Sequence, residues 1–358
     1  MSKKYQYEII IKFKSQLTNI VAFTEDIPYY GSPTYKDNVT ISSKGIILIC
    51  KRSGKMELDD IFYNYNSSIY SQIIKTLVYS YALEFNCPAI KELKISRQLD
   101  ANTKNKVSKS YSGNEISQPI NNRINSNVIF NPQKIKEIFE ETSKGKSLLI
   151  ALSFWIKAMS SNDAISSFER LWKGFNSLYS YIQPTGTEKI KLRKIKQYII
   201  SNPDILIFSE LAIADLDEES LRNSFRWKEL IYNDFALLNP KDDFSEFIMR
   251  YSDERIMKLF EKILPYRRLD LIQKNKLTVV NSYLNTFLTA PVEANAELIC
   301  LICLKYMYFV RNKSFHGEKI YGVYRLIRSN KETKEFEMLT KMLSNLIADI
   351  INSIDRIP

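Results

Sequence analysis

From Pro132 onward the apolar residues of this 358-residue chain recur at helical spacing almost without a break. Phe168, Leu171, Trp172, Phe175, Leu178 and Ile182 follow an i, i+3, i+4, i+7 pattern. That period makes one continuous stripe on a helix and cannot line one face of a pleated strand. A second helix follows Pro184-Thr-Gly-Thr187, with Ile190, Ile195 and Ile199 set inward and Lys189, Lys191, Arg193, Lys194 and Lys196 giving it a basic surface. A long apolar helix is expected from about Glu293 through Phe315. An amphipathic one follows over Glu335 to Ile354, with Met338, Leu339, Met342, Leu346 and Ile350 on one side. So much 3.6-residue periodicity confines this part of the chain to an all-α bundle.

The first hundred residues read differently. Tyr5 to Phe13 and Val39 to Cys50 are rich in Ile, Val and Tyr with partial alternation, the mark of strands, and Pro28 to Pro33 is loop chemistry between them. Ser68 to Phe85 places Ile69, Ile73, Leu77 and Tyr81 at helical spacing, and Ile90 to Ser96 suits a last strand. Residues 99–131 are dominated by Asn, Ser and Lys and suit a linker or mobile loop. The expected fold is mainly α, with a smaller N-terminal α+β domain over 1–98, a linker over 99–131 and an α-helical domain over 132–358. No internal repeat is visible.

Composition removes several function classes. Glycine occurs only 9 times, and neither a dinucleotide-binding G-x-G-x-x-G nor a P-loop is present. Cys300-x-x-Cys303 resembles half a zinc site, but it lies within an apolar run and the chain has no second such pair, so two core cysteines are expected. That run is bracketed by Glu297 and Lys305, short of the roughly 20 residues of a membrane span. Asp215, Asp217, Glu218 and Glu219, and later Asp242 and Asp243, precede helical sequence and suit N-caps with acidic first turns rather than metal ligands. Neither metal nor cofactor is expected. Met1-Ser-Lys-Lys leads directly into strand-like sequence, so a reducing cytoplasm is the expected location. The net charge of +11 is concentrated before residue 131 and after residue 260, and such a balance favours polyanions, nucleic acid above all.

The second basic segment contains the chain's single histidine, His316, in Val310-Arg-Asn-Lys-Ser-Phe-His-Gly317. On a helix Asn312 and His316, four apart, share a face, and Arg311 lies about 100° round from Asn312. Gly317 suits the position where a helix ends in left-handed backbone. Arginine offers a charged planar fork to a phosphate, and histidine exchanges protons near neutral pH. A helix C-terminus would raise the pKa of His316. These parts suit RNA scission, in which a 2′-hydroxyl attacks the adjacent phosphorus without a metal. One imidazole per chain is few for a reaction that benefits from both an acid and a base, so either another group takes the second role or two chains meet at the site. A two-fold dimer apposing two such segments would supply two. A lone histidine at a helix end is also compatible with a purely structural cap.

Arg311-Asn312-Lys313-Ser314-Phe315-His316-Gly317 resembles the signature of the HEPN superfamily, and the form with Gly-Glu-Lys after the histidine looks like that of bacterial abortive-infection HEPN proteins. Phe168 to Tyr179 is similar to an early core helix of such proteins, and the likeness spans about residues 140–355. The resemblance implies a HEPN-like helical bundle that forms a homodimer with the two motifs in a shared cleft. It implies metal-independent cleavage of tRNA, mRNA or rRNA by a toxin or antiviral effector. Arg311 and His316 would be the catalytic pair with Asn312 assisting. Lys313, Lys189, Arg193 and Lys196 are candidate RNA contacts. An antitoxin or a phage-derived trigger would be a partner, and the N-terminal domain would sense, regulate or bind substrate. The family also contains non-catalytic members that serve as RNA- or protein-binding scaffolds, which is the alternative reading.

Overall fold

The computed structural model describes residues 5–29, 32–99, 102–120, 123–235, 243–315 and 331–357. The chain is mainly α-helical with a sheet-containing N-terminal region. It divides into two compact units, one formed by 1–184 with 350–358 and the other by 185–349.

The first unit is built on six antiparallel strands: β1 (Tyr5–Phe13), β2 (Phe23–Tyr29), β3 (Ser32–Ser42), β4 (Gly45–Arg52), β5 (Ile90–Leu99) and β6 (Asn102–Ser112). Their order across the sheet is β2-β3-β4-β1-β5-β6. Alternation decides which face is buried. Tyr7, Ile9, Ile11 and Phe13 of β1 are in the core, beside Ile46, Leu48 and Cys50 of β4. Helix α1 (Ser68–Ala82) packs against β2 and β4, and Ser67 caps its start by accepting from Tyr70 N–H. Each Ile, Leu or Phe buried here contributes about 1.5–3 kcal/mol.

Two of the expected boundaries differ from the structure. Residues 99–131, read as a linker, contain β6, which pairs with β5 through Leu93↔Tyr111 and Ile95↔Lys109. An edge strand bonds to one neighbour only, and described side chains such as Lys106 and Lys109 face solvent. It therefore carries charges, not alternation, as edges commonly do. Pro28 likewise lies inside β2, paired with Lys36. The opposite edge of the sheet tolerates it because a missing N–H costs nothing on the open side.

The division at Pro184 also departs from the expected one. Helices α2 (Ser143–Met159) and α3 (Ala164–Ile182) belong with the sheet, not with the C-terminal helices. Phe168, Leu171, Trp172, Phe175 and Leu178 form the buried stripe of α3. The α2–α3 pair closes tightly at Gly174, where an added Cβ would lie 3.1 Å from the Ala151 carbonyl. Residues after 349 return to this unit, with Asn352 accepting from Asn131 N–H at 2.8 Å and donating to the Ile129 carbonyl at 3.0 Å. A helical stripe specifies that a face is buried but not which layer covers it, so periodicity alone misassigned α2 and α3.

The second unit is helical. Its members include α4 (Glu188–Ser201), α5 (Ile207–Ile213), α6 (Asn295–Cys300), α7 (Met307–Phe315) and the greater part of α8 (Lys331–Asn352). Among the described residues no helix is long and apolar enough to cross a membrane.

Gly45 offers a test of the sheet. Its φ of +154° is one that side chains rarely adopt, and a Cβ there would lie 2.2 Å from the Ile11 carbonyl oxygen. Gly45→Ala should cost more than about 2 kcal/mol, whereas Gly54→Ala, with open space around it, should stay within about 0.5 kcal/mol. Paired urea titrations measure the difference.

Candidate functional site

The predicted site lies at the end of a helical run. Between α6 and α7 the backbone takes π geometry over Leu301–Tyr306, so the long apolar helix expected from Glu293 is three consecutive segments. Leu298 to Leu304, with Tyr306, Met307, Phe309 and Val310, are buried. A helix apolar on all sides must be enclosed on all sides. Single π turns re-aim side chains and recur at functional positions. Cys300 and Cys303 are free thiols of this core. Burial pushes Cys300 up to about 12 and Cys303 well above the usual thiol range, so both stay protonated and inert.

At the last residue of the π turn, Tyr306 enters a buried network. Its hydroxyl accepts from Arg226 N–H at 2.6 Å and donates to Glu335 of α8. Arg226 Nε lies 3.0 Å from Glu335 Oε2. Phe225, Trp227 and Phe309 pack their rings around Tyr306. Burial raises the pKa of Glu335, and this outweighs the lowering by Arg226. Burial also holds Tyr306 well above the usual phenol range. These groups fix the rotation and height of the helix that leads to Arg311.

The polar end follows. Arg311, Asn312, Lys313 and Ser314 are half-buried, in contrast to the enclosed residues before them. Arg311 Nη1 donates to Asn312 Oδ1 at 2.9 Å and to Glu188 Oε2 at 3.4 Å. Glu188 opens α4, so the ion pair brings Arg311 to the start of the basic helix. Ser314 Oγ donates to the Val310 carbonyl and is taken up by its own helix. The structure thus brings Arg311 and Asn312 together beside Glu188. His316 and Gly317 lie outside the described residues, as does Asp242.

Comparison with protein-family models, curated proteins and solved structures finds no match.

The candidate RNA-contacting residues of α4 separate into two settings. Lys189 and Arg193 are exposed. Lys196 is half-buried, with its ammonium 4.5 Å from the centre of the Tyr251 ring, and burial lowers its pKa. That position suits a packing role for Lys196. Ile195 and Ile199 face inward as expected, but Ile190 is exposed. It folds instead over Gly186, whose φ of +97° makes the turn into α4. Asp217 and Asp243 are N-caps, accepting from Ser220 and Ser245 N–H at 2.8 Å each. Among the described residues no group of three or more His, Cys, Asp or Glu is placed to hold a metal ion.

Sequence reasoning missed Glu188, Arg226, Tyr306 and Glu335. Glu188 reads as an ordinary acidic first-turn residue, and the other three are far apart in sequence. The one available signal was Glu335 on the otherwise apolar side of the last helix. Asp349 is a further missed group. It accepts from Phe208 and Ser209 N–H at 2.9 and 2.8 Å and so caps α5 from a distant helix.

Two tests follow from this geometry. Glu335→Ala removes one partner of a buried pair and should cost about 3 kcal/mol or more, with Glu335→Gln costing less. Burial raises Asp349 to about 6, so its contribution to stability is full below pH 4 and is lost as pH rises through 6. Relative to Asp349→Asn, the wild-type chain should lose up to about 3 kcal/mol over that range, read from unfolding midpoints at pH 4 to 7.

Proposed function

We propose that this chain is a metal-independent endoribonuclease of the HEPN type, an antiviral or toxin effector, cleaving RNA by 2′-hydroxyl transesterification. The observation that carries the reading is the half-buried Arg311–Asn312 pair at the end of a largely enclosed helix, joined through Glu188 to the start of α4, the helix that carries the exposed Lys189 and Arg193. An arginine held by its asparagine neighbour and by Glu188 is oriented before substrate arrives. Its charge is of the sign that stabilises an attacked phosphate. His316, four residues beyond Asn312 in sequence, would supply proton transfer, and Asn312 would orient it or the substrate. Lys189, Arg193 and Lys313 would hold the RNA backbone.

On this reading the helices of the second unit form the HEPN-like bundle, and two chains pair to appose their motifs. The α3 stretch Phe168–Tyr179, which contributed to the resemblance, falls in the first unit. The proposal therefore rests on the Arg311 end of the second unit. A cytoplasmic setting and regulation by an antitoxin or trigger belong to the same proposal.

One observation favours a second reading, a non-catalytic RNA- or protein-binding scaffold. Glu188 already neutralises part of the Arg311 charge, as in a structural ion pair.

Incubation of total RNA in EDTA with wild type, Arg311→Ala and His316→Ala separates the two. The enzyme reading predicts cleavage by wild type and loss of at least about 100-fold in each folded variant. RNA left intact by wild type, or cut equally by the variants, contradicts it. Equal mixtures of wild type and His316→Ala should retain less than half the activity if both chains contribute to each site. Activity linear in the wild-type fraction would contradict the shared site.

A further inference from the structure

The first unit contains a hollow of about 590 Å³, within the range of small-molecule sites. Its origin is topological. Helix α1 covers β2 and β4, while the β5–β6 side of the same sheet face is left for the loops to close. Ile11, Leu93 and Tyr111 form one cross-strand row there, Ile11 pairing with Leu93 and Leu93 with Tyr111. The row runs from fully buried Ile11 to half-buried Leu93 and Tyr111 at the open side. Ile74 and Leu77 of α1 and Ile156 of α2 face them across the space.

The wall has two features that indicate an occupant. First, aromatic rings gather on one side. Phe62 meets Tyr111 edge-on at 5.4 Å, and Tyr65 meets Tyr70 at 5.3 Å. Tyr63 and Tyr65 stand 77% and 74% exposed at the rim, where their rings are open to contact. Second, the Tyr70 ring is half-buried at the mouth of the hollow, and its hydroxyl has no protein hydrogen-bond partner among the described residues, so it is open to a ligand oxygen.

Charge narrows the occupant further. Asp59 at the wall is taken up by Lys109 at 2.7 Å and by the Tyr111 hydroxyl. Glu115 accepts from Ser112 N–H, and the Lys157 ammonium donates to the Pro119 carbonyl. With two carboxylates and one lysine lining it, the hollow has no cationic cluster for a polyphosphate.

We propose that this hollow is a binding site for an uncharged, planar aromatic molecule of two or three fused or linked rings carrying at least one hydrogen-bonding oxygen. The rings would lie between the Leu93–Ile74 walls against the tyrosines, and the oxygen would pair with the Tyr70 hydroxyl. This site is independent of the Arg311 reading and stands or falls separately.

The test uses 3-hydroxyflavone, uncharged at neutral pH and fluorescent in proportion to its shielding from water, with the full-length protein. Saturable binding of one molecule per chain is expected. Leu93→Trp and Ile74→Trp, which fill the hollow from opposite walls, should each weaken it at least tenfold. Tyr70→Phe should weaken it about threefold to tenfold. Neither ATP nor dodecanoate should displace the probe at equal concentration. Circular dichroism and melting curves identify which filling variant is folded, and two walls give two chances. A third variant, Tyr111→Ala, widens the hollow and should also weaken binding if neither folds. Absence of saturable binding to wild type, unchanged binding in a folded filling variant, or displacement by dodecanoate or ATP would overturn the proposal.

Discussion

The hydrogen bonding of Tyr306 to Glu335 and Arg226 is the constraint on which the helical unit depends. A carboxylate only 4% exposed is costly unless it is paired and hydrogen-bonded. Glu335 has both: a phenol donor from the π turn and a guanidinium from the segment before Trp227. Three stretches far apart in sequence, around residues 226, 306 and 335, are thereby held in one arrangement. Apolar packing alone would set the register of the run from α6 to α7 only loosely. Glu297, accepting from Ser252 N–H at 2.6 Å, and Lys305, 2.7 Å from Asp234, anchor it at two points, and the buried Tyr306 triad, nearest Arg311, adds a third at some cost in stability.

The end of the same helix shows what that fixation accomplishes. Within a few residues the chain passes from fully enclosed Val310 to half-buried Arg311 and Asn312. A cation presented from a rigid, buried support loses little orientation freedom when it meets a phosphate, which is the condition for electrostatic stabilisation of a transition state. The contact with Glu188 has a double consequence. It orients the guanidinium and lowers its net field, so on the proposed reading the RNA must compete with a carboxylate for the same fork. On the proposed reading that competition sets a threshold for binding.

Much of this was legible from residues alone, for physical reasons that differ by element. β1 and β4 alternate because one face is buried and the other is not, and α3 carries a stripe because it packs on one side, whereas α1 is enclosed over most of its surface. The buried cysteines and the Asp217 and Asp243 caps were legible because local chemistry decides them. β6 was not, since an edge strand draws its stability from backbone pairing with β5 and leaves its side chains free to be Lys and Ser. The attachment of α2 and α3 to the sheet was not legible either, because a stripe does not name its partner. For the site, Arg311 and Asn312 stood out through their spacing from the only histidine. Tyr306, Glu335, Arg226 and Glu188 did not, because tertiary contact alone relates them.

The central claim is that the Arg311 end of this buried helix directs attack of a 2′-hydroxyl on phosphorus. Mass spectrometry of the RNA ends formed by the wild-type protein in EDTA tests it most directly. The account predicts fragments ending in 2′,3′-cyclic phosphate, each followed by a fragment beginning with a 5′-hydroxyl. Fragments with 3′-hydroxyl and 5′-phosphate ends would contradict it, because water or another external nucleophile would then have made the cut.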